Sequence, residues 1–478
     1  MKRSSYFKRR TKIVCTIGPA TGTASVIERL IRGGMNVARL NLAHGAHDVH
    51  AQYIGTVRRI SQRLDMPVAI LIDLPGPKYR TGRLKGHQAS LRKGALLTLT
   101  TRDIEGDAAL VPVNLPNLAQ DVKTGDTVLL DDGAMQLKVL GKKGNEVNCR
   151  VTAGGSLTEG RGLVVPGMRT SVSFITDSLR EHIAFAVQQK PDYLAISFVS
   201  SAEDIFALRA VISQHGADIP VIAKIERGQA VKYFAAILSA SDGIMVARGD
   251  LGVDIPLEKV PLIQKEIIRK CNRVGKPVIT ATQMLESMVN ATRPTRAEVT
   301  DVANAIFDGT DATMLSAETS IGQYPIAAVR MMARIAQETE SRLPYEQLLA
   351  ERGRRLEQET DELISYSACH IAHSLGAAAI VAFTQSGSTA RRVSKYRPRV
   401  PILAITPSSA VSGRLLLHWG VYPFPVYQAS SVDELFATGA KLAKDLGVAR
   451  AGDLILITGG APVGVAGVTN LLKVEKIS

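Results

Sequence analysis

Pro220-Val-Ile-Ala-Lys224-Ile-Glu226 is the stretch that settles how the rest of the chain reads. A short apolar run rich in β-branched residues is the pattern of a strand buried on both faces, as in a parallel sheet. It ends on charge. Lys224 and Glu226 stand two residues apart, so in a strand both side chains point the same way. Working outward, the pattern recurs at Lys12–Ile17, Asn36–Asn41, Val68–Asp73, Tyr193–Phe198, Gly243–Ala247, Pro277–Thr282 and Ala312–Ser316. Helix-period segments lie between most of these: Ser25–Arg32, Val49–Leu64, Asp177–Gln188, Ala202–Gln214 and Leu257–Val274. Eight strand–helix repeats predict a parallel (β/α)8 TIM barrel. Alternation alone also permits a doubly wound sheet.

The repeat breaks once, after the third strand. From Gly76 to Gly167 the chain is rich in glycine and turn pairs, with short alternating runs such as Thr127–Gly133 and Met135–Val139. This predicts a small inserted β-barrel domain placed to act as a lid. Beyond Leu343-Pro344, runs at Ala379–Thr384, Pro401–Thr406 and Asp453–Thr458 alternate with helices, an open α/β domain. The expected division is barrel 1–75, lid 76–169, barrel again 170–343, and C-terminal α/β domain 344–478.

The composition narrows the function. The 478 residues carry 58 Lys and Arg against 44 Asp and Glu, a net charge of +14. With 45% apolar residues the chain can build a core and is not a disordered polymer. No apolar run reaches the roughly 18 residues of a membrane span. The start, Met1 to Arg10, is basic without an apolar stretch, so no secretory signal is expected. Four widely spaced cysteines (Cys15, Cys149, Cys271, Cys369) fit reduced thiols in a cytoplasmic protein. The positive surplus suits phosphorylated anions. Aromatics at 5% leave little for base stacking, so no nucleic-acid partner is expected. The clusters Lys8-Arg9-Arg10 and Arg391-Arg392…Lys395…Arg397…Arg399 read as solvated faces.

Barrel chemistry sits at the C-terminal ends of the strands. Read in turn, those ends are Thr16-Ile-Gly-Pro19, Arg39-Leu-Asn41-Leu-Ala-His44, Asp73-Leu-Pro-Gly-Pro-Lys78-Tyr-Arg80, Ser197-Phe198, Lys224-Ile-Glu226, Ala247-Arg-Gly249-Asp250, Thr280-Ala-Thr282-Gln283 and Ser316-Ala-Glu318. Polar groups ending apolar strands are costly unless they have work there. Eight on one rim predict a phosphate- and metal-binding site. Glu226 and Asp250 come from neighbouring strands and suit one Mg²⁺ completed by substrate oxygens and water. Arg39 suits bidentate phosphate binding, and the turn around Gly249 offers backbone N–H groups to an anion.

The motifs Lys12-Ile-Val-Cys-Thr-Ile-Gly-Pro-Ala20, Gly34-Met-Asn-Val-Ala-Arg-Leu-Asn41, Lys224-Ile-Glu226 and Asp242–Gly252 resemble the pyruvate kinase family. So do Thr280–Met288, Pro294–Glu298, Asp301-Val-Ala-Asn304 and Met314–Thr319, all in the same order. The resemblance implies the three-domain fold above, transfer of the phosphoryl group of phosphoenolpyruvate to ADP, and a homotetramer. It implies a catalytic set of Lys224, Arg39 and Thr282. Substrate would be bound by Arg39, Ser197, Lys224, Thr282 and the amides of Gly249 and Asp250. Glu226 and Asp250 would hold Mg²⁺ (or Mn²⁺), and Asn41, His44 and Arg80 would lie near the nucleotide phosphates. A phosphorylated allosteric effector would bind the loop Thr384, Ser386, Gly387, Ser388 and Thr389, with Arg391 and Arg392 nearby and Gly459–Gly467 as a second wall.

Two departures carry expectations. In the monovalent-cation region (Asn41, Asp73, Lys78), Ala43 and Leu74 lack the usual hydroxyl ligands, and Lys78 stands where K⁺-dependent members have Glu. An ammonium there would replace K⁺, which is then not required. Ser171 stands for an acidic residue at the return from lid to barrel. Two alternatives remain open on the residues: an oxoacid lyase barrel sharing the metal carboxylates, and a basic scaffold for nucleic acid.

Overall fold

A computed structural model describes residues 7–478 apart from 169, 355, 357, 427, 428 and 466. Residues 1–6 of the basic start, and the expected lid return at 169, thus lie outside the described residues.

Eight parallel strands close on themselves: β1 (Lys12–Thr16), β2 (Val37–Asn41), β3 (Ala69–Leu74), β4 (Tyr193–Ile196), β5 (Val221–Ile225), β6 (Gly243–Ala247), β7 (Val278–Ala281) and β8 (Ala312–Leu315). Each pairs with its neighbours in sequence order, and β8 closes on β1. The doubly wound alternative is excluded. Nearly every strand residue is buried, because one face packs on the helices and the other fills the barrel. The expected helices form within two residues of their predicted starts, the fifth beginning as a short 3₁₀ turn, Leu257–Lys259. Thr23 and Thr176 cap their helices by accepting from backbone N–H groups three residues on.

After β3 the chain enters a curled seven-stranded sheet with its own core, ordered Tyr79–Arg80, Gly162–Val164, Thr127–Leu130, Met135–Lys143, Glu146–Ala153, Leu96–Thr100, Leu110–Pro112. A bridge between Thr81 and Val113 draws its two ends together. Alternating burial along Met135–Lys143 and Glu146–Ala153 follows the two-residue period of a half-buried strand. Where the chain leaves the barrel, a Cβ on Gly76 would lie 2.1 Å from the carbonyl oxygen of Ser197, so only glycine passes.

The C-terminal sheet runs Val421–Pro425, Ile402–Thr406, Ala379–Phe383, Leu454–Gly459, Leu471–Lys476, with only the last strand antiparallel. Its first and last strands were not predicted. Both are edges. Pro423 and Pro425 are tolerated there because an edge strand can do without some N–H donors, and Leu471–Lys476 is charged and only part-buried.

This sheet plugs the barrel floor. Leu416 and Leu417 pack inside the barrel against Val14, Leu71 and Met314. Beside them Arg397 donates to Asp311 Oδ1 (2.7 Å) and the Gly309 carbonyl (2.8 Å), and both charged side chains are 4% exposed. The expected solvated face at 391–399 holds for the exposed Arg391 and Arg399 and is corrected at the three cations between them. Arg397 is an interior ion pair, Arg392 pairs with Asp361 (2.5 Å), and Lys395 pairs with Glu362 (2.9 Å).

Candidate active site

The opposite rim gathers the predicted residues. Lys224, at the end of β5, is buried. Its Nζ donates to Ser197 Oγ (2.6 Å) and lies 3.0 Å from Glu226 Oε1 and 3.4 Å from Asp73 Oδ1. Burial alone would discharge this ammonium. Asp73 and Glu226 outweigh it, and the Lys224 pKa is raised above its ordinary value. Arg39, at the end of β2, donates from Nε to Asp73 Oδ2 (2.7 Å) and from Nη1 to Thr16 Oγ1 (2.9 Å). Asp73 is fully buried. Burial opposes its charge, but Lys224 and Arg39 prevail and hold its carboxyl below the usual range. Asp73 is thus a counter-ion shared by the two buried cations. Sequence reading gave it only a place in the monovalent-cation region. Its position ending a buried strand was the available signal.

Glu226 accepts from the Phe198 N–H (2.6 Å). To make that bond Phe198 adopts φ +59°, a left-handed conformation that bulky residues rarely accept. Burial pushes the Glu226 carboxyl up. Lys224 opposes this, and the charge of Asp250 adds to it. A pair of oxygen donors left in mutual repulsion suits a hard divalent cation. The described residues hold no group of three or more His, Cys, Asp or Glu able to take a metal alone.

Asp250 lies in the first turn of Arg248–Asp254, directly after β6. Its Oδ1 accepts from Lys78 Nζ (3.1 Å), both side chains about a third exposed. Lys78 is thus paired with Asp250 while staying part-exposed. It reaches across the mouth from the lid connection and lies over the Phe198 ring. Asn41 and Asp73 are direct register partners on β2 and β3.

Thr282, just past β7, has φ +68° and Gln283 has φ +54°. The Thr282 hydroxyl accepts from the Gly249 N–H (2.8 Å) and donates to the Ala281 carbonyl (2.6 Å). The Gly249 amide is thus occupied, and an arriving anion must displace the hydroxyl. A Cβ on Gly249 would touch only Thr282, at 3.7 Å or more, so the fold itself does not demand glycine there.

The nucleotide set is less gathered. Asn41 Oδ1 accepts from the Ala43 N–H (3.3 Å), and His44 is exposed on the same loop. Arg80 stands off on the lid, donating to the Gly160 carbonyl (2.9 Å). At the lid return, Ser171 accepts from Asn117 (2.8 Å) and donates its N–H to Asp121 (3.1 Å).

Comparison with known proteins decides what this rim belongs to. The pyruvate kinase barrel-domain family model matches residues 8–329, and the pyruvate kinase alpha/beta-domain model matches 362–475. The chain belongs to the pyruvate kinase family. It is 44% identical to the pyruvate kinase of Clostridium acetobutylicum over 471 residues, 98% of this chain and 100% of that one. It is 46% identical to that of Geobacillus stearothermophilus over 474 residues, 98% of this chain and 81% of that one. A solved pyruvate kinase from Cryptosporidium parvum superposes with a TM-score of 0.94 at 36% identity, covering 99% and 97% of the two chains. As in that family, the enzyme is a phosphotransferase.

The pyruvate kinase C-terminal loop has its own geometry. Gly387, at φ +86°, caps the helix Ser388–Lys395. Ser386 and Ser388 hydroxyls lie 3.2 Å apart, Thr389 bonds Thr469 (2.8 Å), and Thr384 Oγ1 is buried without a hydrogen-bond partner. Thr384, Ser388 and Thr389 line a cleft together with Gly460, Val463 and Val465; of the expected second wall Gly459–Gly467, position 466 lies outside the described residues. Of the two arginines expected nearby, Arg392 is held by Asp361 (2.5 Å) and Arg391 is exposed.

Proposed function

We propose that the rim residues catalyse phosphoryl transfer from phosphoenolpyruvate to ADP as follows. Arg39 and Lys224 bind the phosphoryl oxygens, and Lys224 stabilises the charge that develops as the phosphorus–enol oxygen bond breaks and the bond to the ADP oxygen forms. Ser197, Thr282 and the amides of Gly249 and Asp250 bind the substrate and its carboxylate. The enolate carbon then takes up one proton in the neighbourhood of the Thr282 hydroxyl, giving pyruvate. Glu226 and Asp250 would hold Mg²⁺, or Mn²⁺ in its place, whose charge would draw phosphate oxygens to the two carboxylates. Asn41, His44 and Arg80 contact the nucleotide phosphates.

The observation that carries this reading is the pair of buried rim cations, Arg39 and Lys224, that share the counter-ion Asp73, with Glu226 as a second partner of Lys224. The test is a coupled assay of pyruvate release from phosphoenolpyruvate. The expected release requires ADP and a divalent ion; release independent of ADP would mark hydrolysis to inorganic phosphate instead, and no release with ADP present would favour the lyase alternative.

Finer readings follow. Lys78 supplies an ammonium inside the mouth, so replacing K⁺ by tetramethylammonium leaves the rate within about twofold; a loss beyond tenfold ends the idea. Thr384, Ser386, Gly387, Ser388 and Thr389 bind a phosphorylated effector at a helix start. An unchanged substrate saturation curve across phosphosugars and nucleotides would remove that role. The assembly is a homotetramer acting in the cytoplasm, the former measurable by light scattering at assay concentration.

A further inference from the structure

Thr282 and Gln283 form two successive left-handed residues, and Thr282 is β-branched, the residue class least able to hold φ +68° unaided. Something must hold this peptide. Arg248, one strand over, does so with its whole guanidinium. Nη2 donates to the Thr282 carbonyl (2.7 Å) and Nε to the Ala281 carbonyl (3.3 Å), while Nη1 donates to Asp301 Oδ1 (2.7 Å). The Arg248 side chain is 12% exposed. Asp301 projects from the helix Arg296–Phe307, whose start is locked by the Thr295–Glu298 capping box. Glu298 also accepts from the Ser287 N–H (2.7 Å) and Ser287 Oγ (2.5 Å), and Glu318 accepts from the Leu285 N–H (3.0 Å). The loop after Thr282 is therefore braced at three points by charged groups that are absent from the site assigned above.

We propose that Arg248, anchored by Asp301, is a positioning residue for the proton-transfer half of the reaction: it fixes the strained Thr282 peptide so that the hydroxyl, released from the Gly249 amide by the arriving carboxylate, faces the enolate. The arginine itself touches no reacting atom. Its fork spans two carbonyls and a carboxylate at once, a geometry that the single ammonium of a lysine does not reproduce. This rests on the reading of Thr282 under Proposed function. It assigns work to the segment Pro294–Asn304, which the catalytic residues leave unused.

The test separates the two. Deuterium exchange into the methyl group of pyruvate, followed by NMR with Mg²⁺ and inorganic phosphate present, reports enolate protonation without net phosphoryl transfer. It is measured on the full-length enzyme and on Arg248→Gln, Arg248→Lys, Asp301→Asn, Thr282→Val and the Arg248→Gln/Thr282→Val double variant, with the melting temperature of each. Displacement of a reacting group by about 1 Å costs on the order of 100-fold, so Arg248→Gln and Thr282→Val should each lose exchange to that extent. The double variant should be no worse than the poorer single within about threefold, the signature of two residues acting as a unit. Arg248→Lys should fail to rescue, and Asp301→Asn should show a smaller loss of the same kind. Exchange lost in step with the folded fraction, or losses that multiply in the double variant, overturns the inference while Thr282 keeps its role. Normal exchange in Thr282→Val removes the reading of Thr282, and the inference with it.

Discussion

The two ends of the barrel use buried charge in opposite ways. At the floor the buried charges meet fixed partners. Arg397 is shared between Asp311, Asn272 and Gly309, and Glu340 accepts the N–H groups of Arg10 and Thr11. Lys12, driven by burial to a pKa of about 7, has its Nζ on the Val421 carbonyl and over the Tyr422 ring. At the rim the charges are only half-satisfied. Glu226 and Asp250 repel, Asp73 serves two cations, and Phe198, Thr282 and Gln283 hold left-handed backbone. A polar residue at a strand end is not functional by position alone. What separates the ends is whether its partners saturate it, because unsatisfied charge and strain persist only where the surrounding structure enforces them.

This contrast breaks if substitutions at the floor cost rate, or if those at the rim cost only stability. The largest expected floor effect is Arg397→Leu, which leaves Asp311 buried with its charge unpaired. Loss of one partner of such a pair costs about 3–5 kcal/mol. Denaturant melts should show that loss, with kcat of the folded fraction unchanged in the absence of effector.

At the rim Gly249→Ala should do the reverse. The added methyl has room among the protein atoms, so the denaturation midpoint should hold. It would stand over the amide that receives the substrate carboxylate, so KM for phosphoenolpyruvate should rise about tenfold, equivalent to about 1.4 kcal/mol. An unchanged KM would show that this glycine serves packing after all.

The smallest effect sharpens the floor. His418 is held neutral, its pKa driven down to about 3, first by burial and then by Arg391. Unfolded, it takes a proton as the pH falls below its ordinary value near 6.5; folded, it does not until about 3. Stability is therefore lost as the pH falls through that window, at up to about 1.4 kcal/mol per pH unit. His418→Gln should flatten the loss between pH 6 and 5 by about 1 kcal/mol in stability measured by denaturant titration. An identical slope in both proteins would place the acid sensitivity elsewhere.

Sequence reading reached the barrel, the insertion, the C-terminal domain and the rim charges because buried parallel strands leave an unbroken apolar signature, and a charge ending one stands out. It missed the strands Val421–Pro425 and Leu471–Lys476, since prolines or exposed charges on an edge erase that signature. It did not see that Phe198, Thr282 and Gln283 bend left-handed, because tertiary bonds to Glu226 and Arg248 impose those conformations against local preference. It took Arg391–Arg399 for a solvated face because a run of charge does not reveal its partners. Arg397 finds Asp311 from 86 positions away.

The account stands or falls on Lys224 as the cation that stabilises the transferring phosphoryl group. Lys224→Met, assayed for kcat alongside the dissociation constant of phosphoenolpyruvate with Mg²⁺ present, measures this directly. Removal of a preorganised charge-stabilising donor costs on the order of 10²–10³ in kcat, so a fall of at least that size is predicted, with binding changed by less than about tenfold. A kcat within tenfold of the unaltered enzyme, or a loss carried wholly by weaker binding, would contradict it.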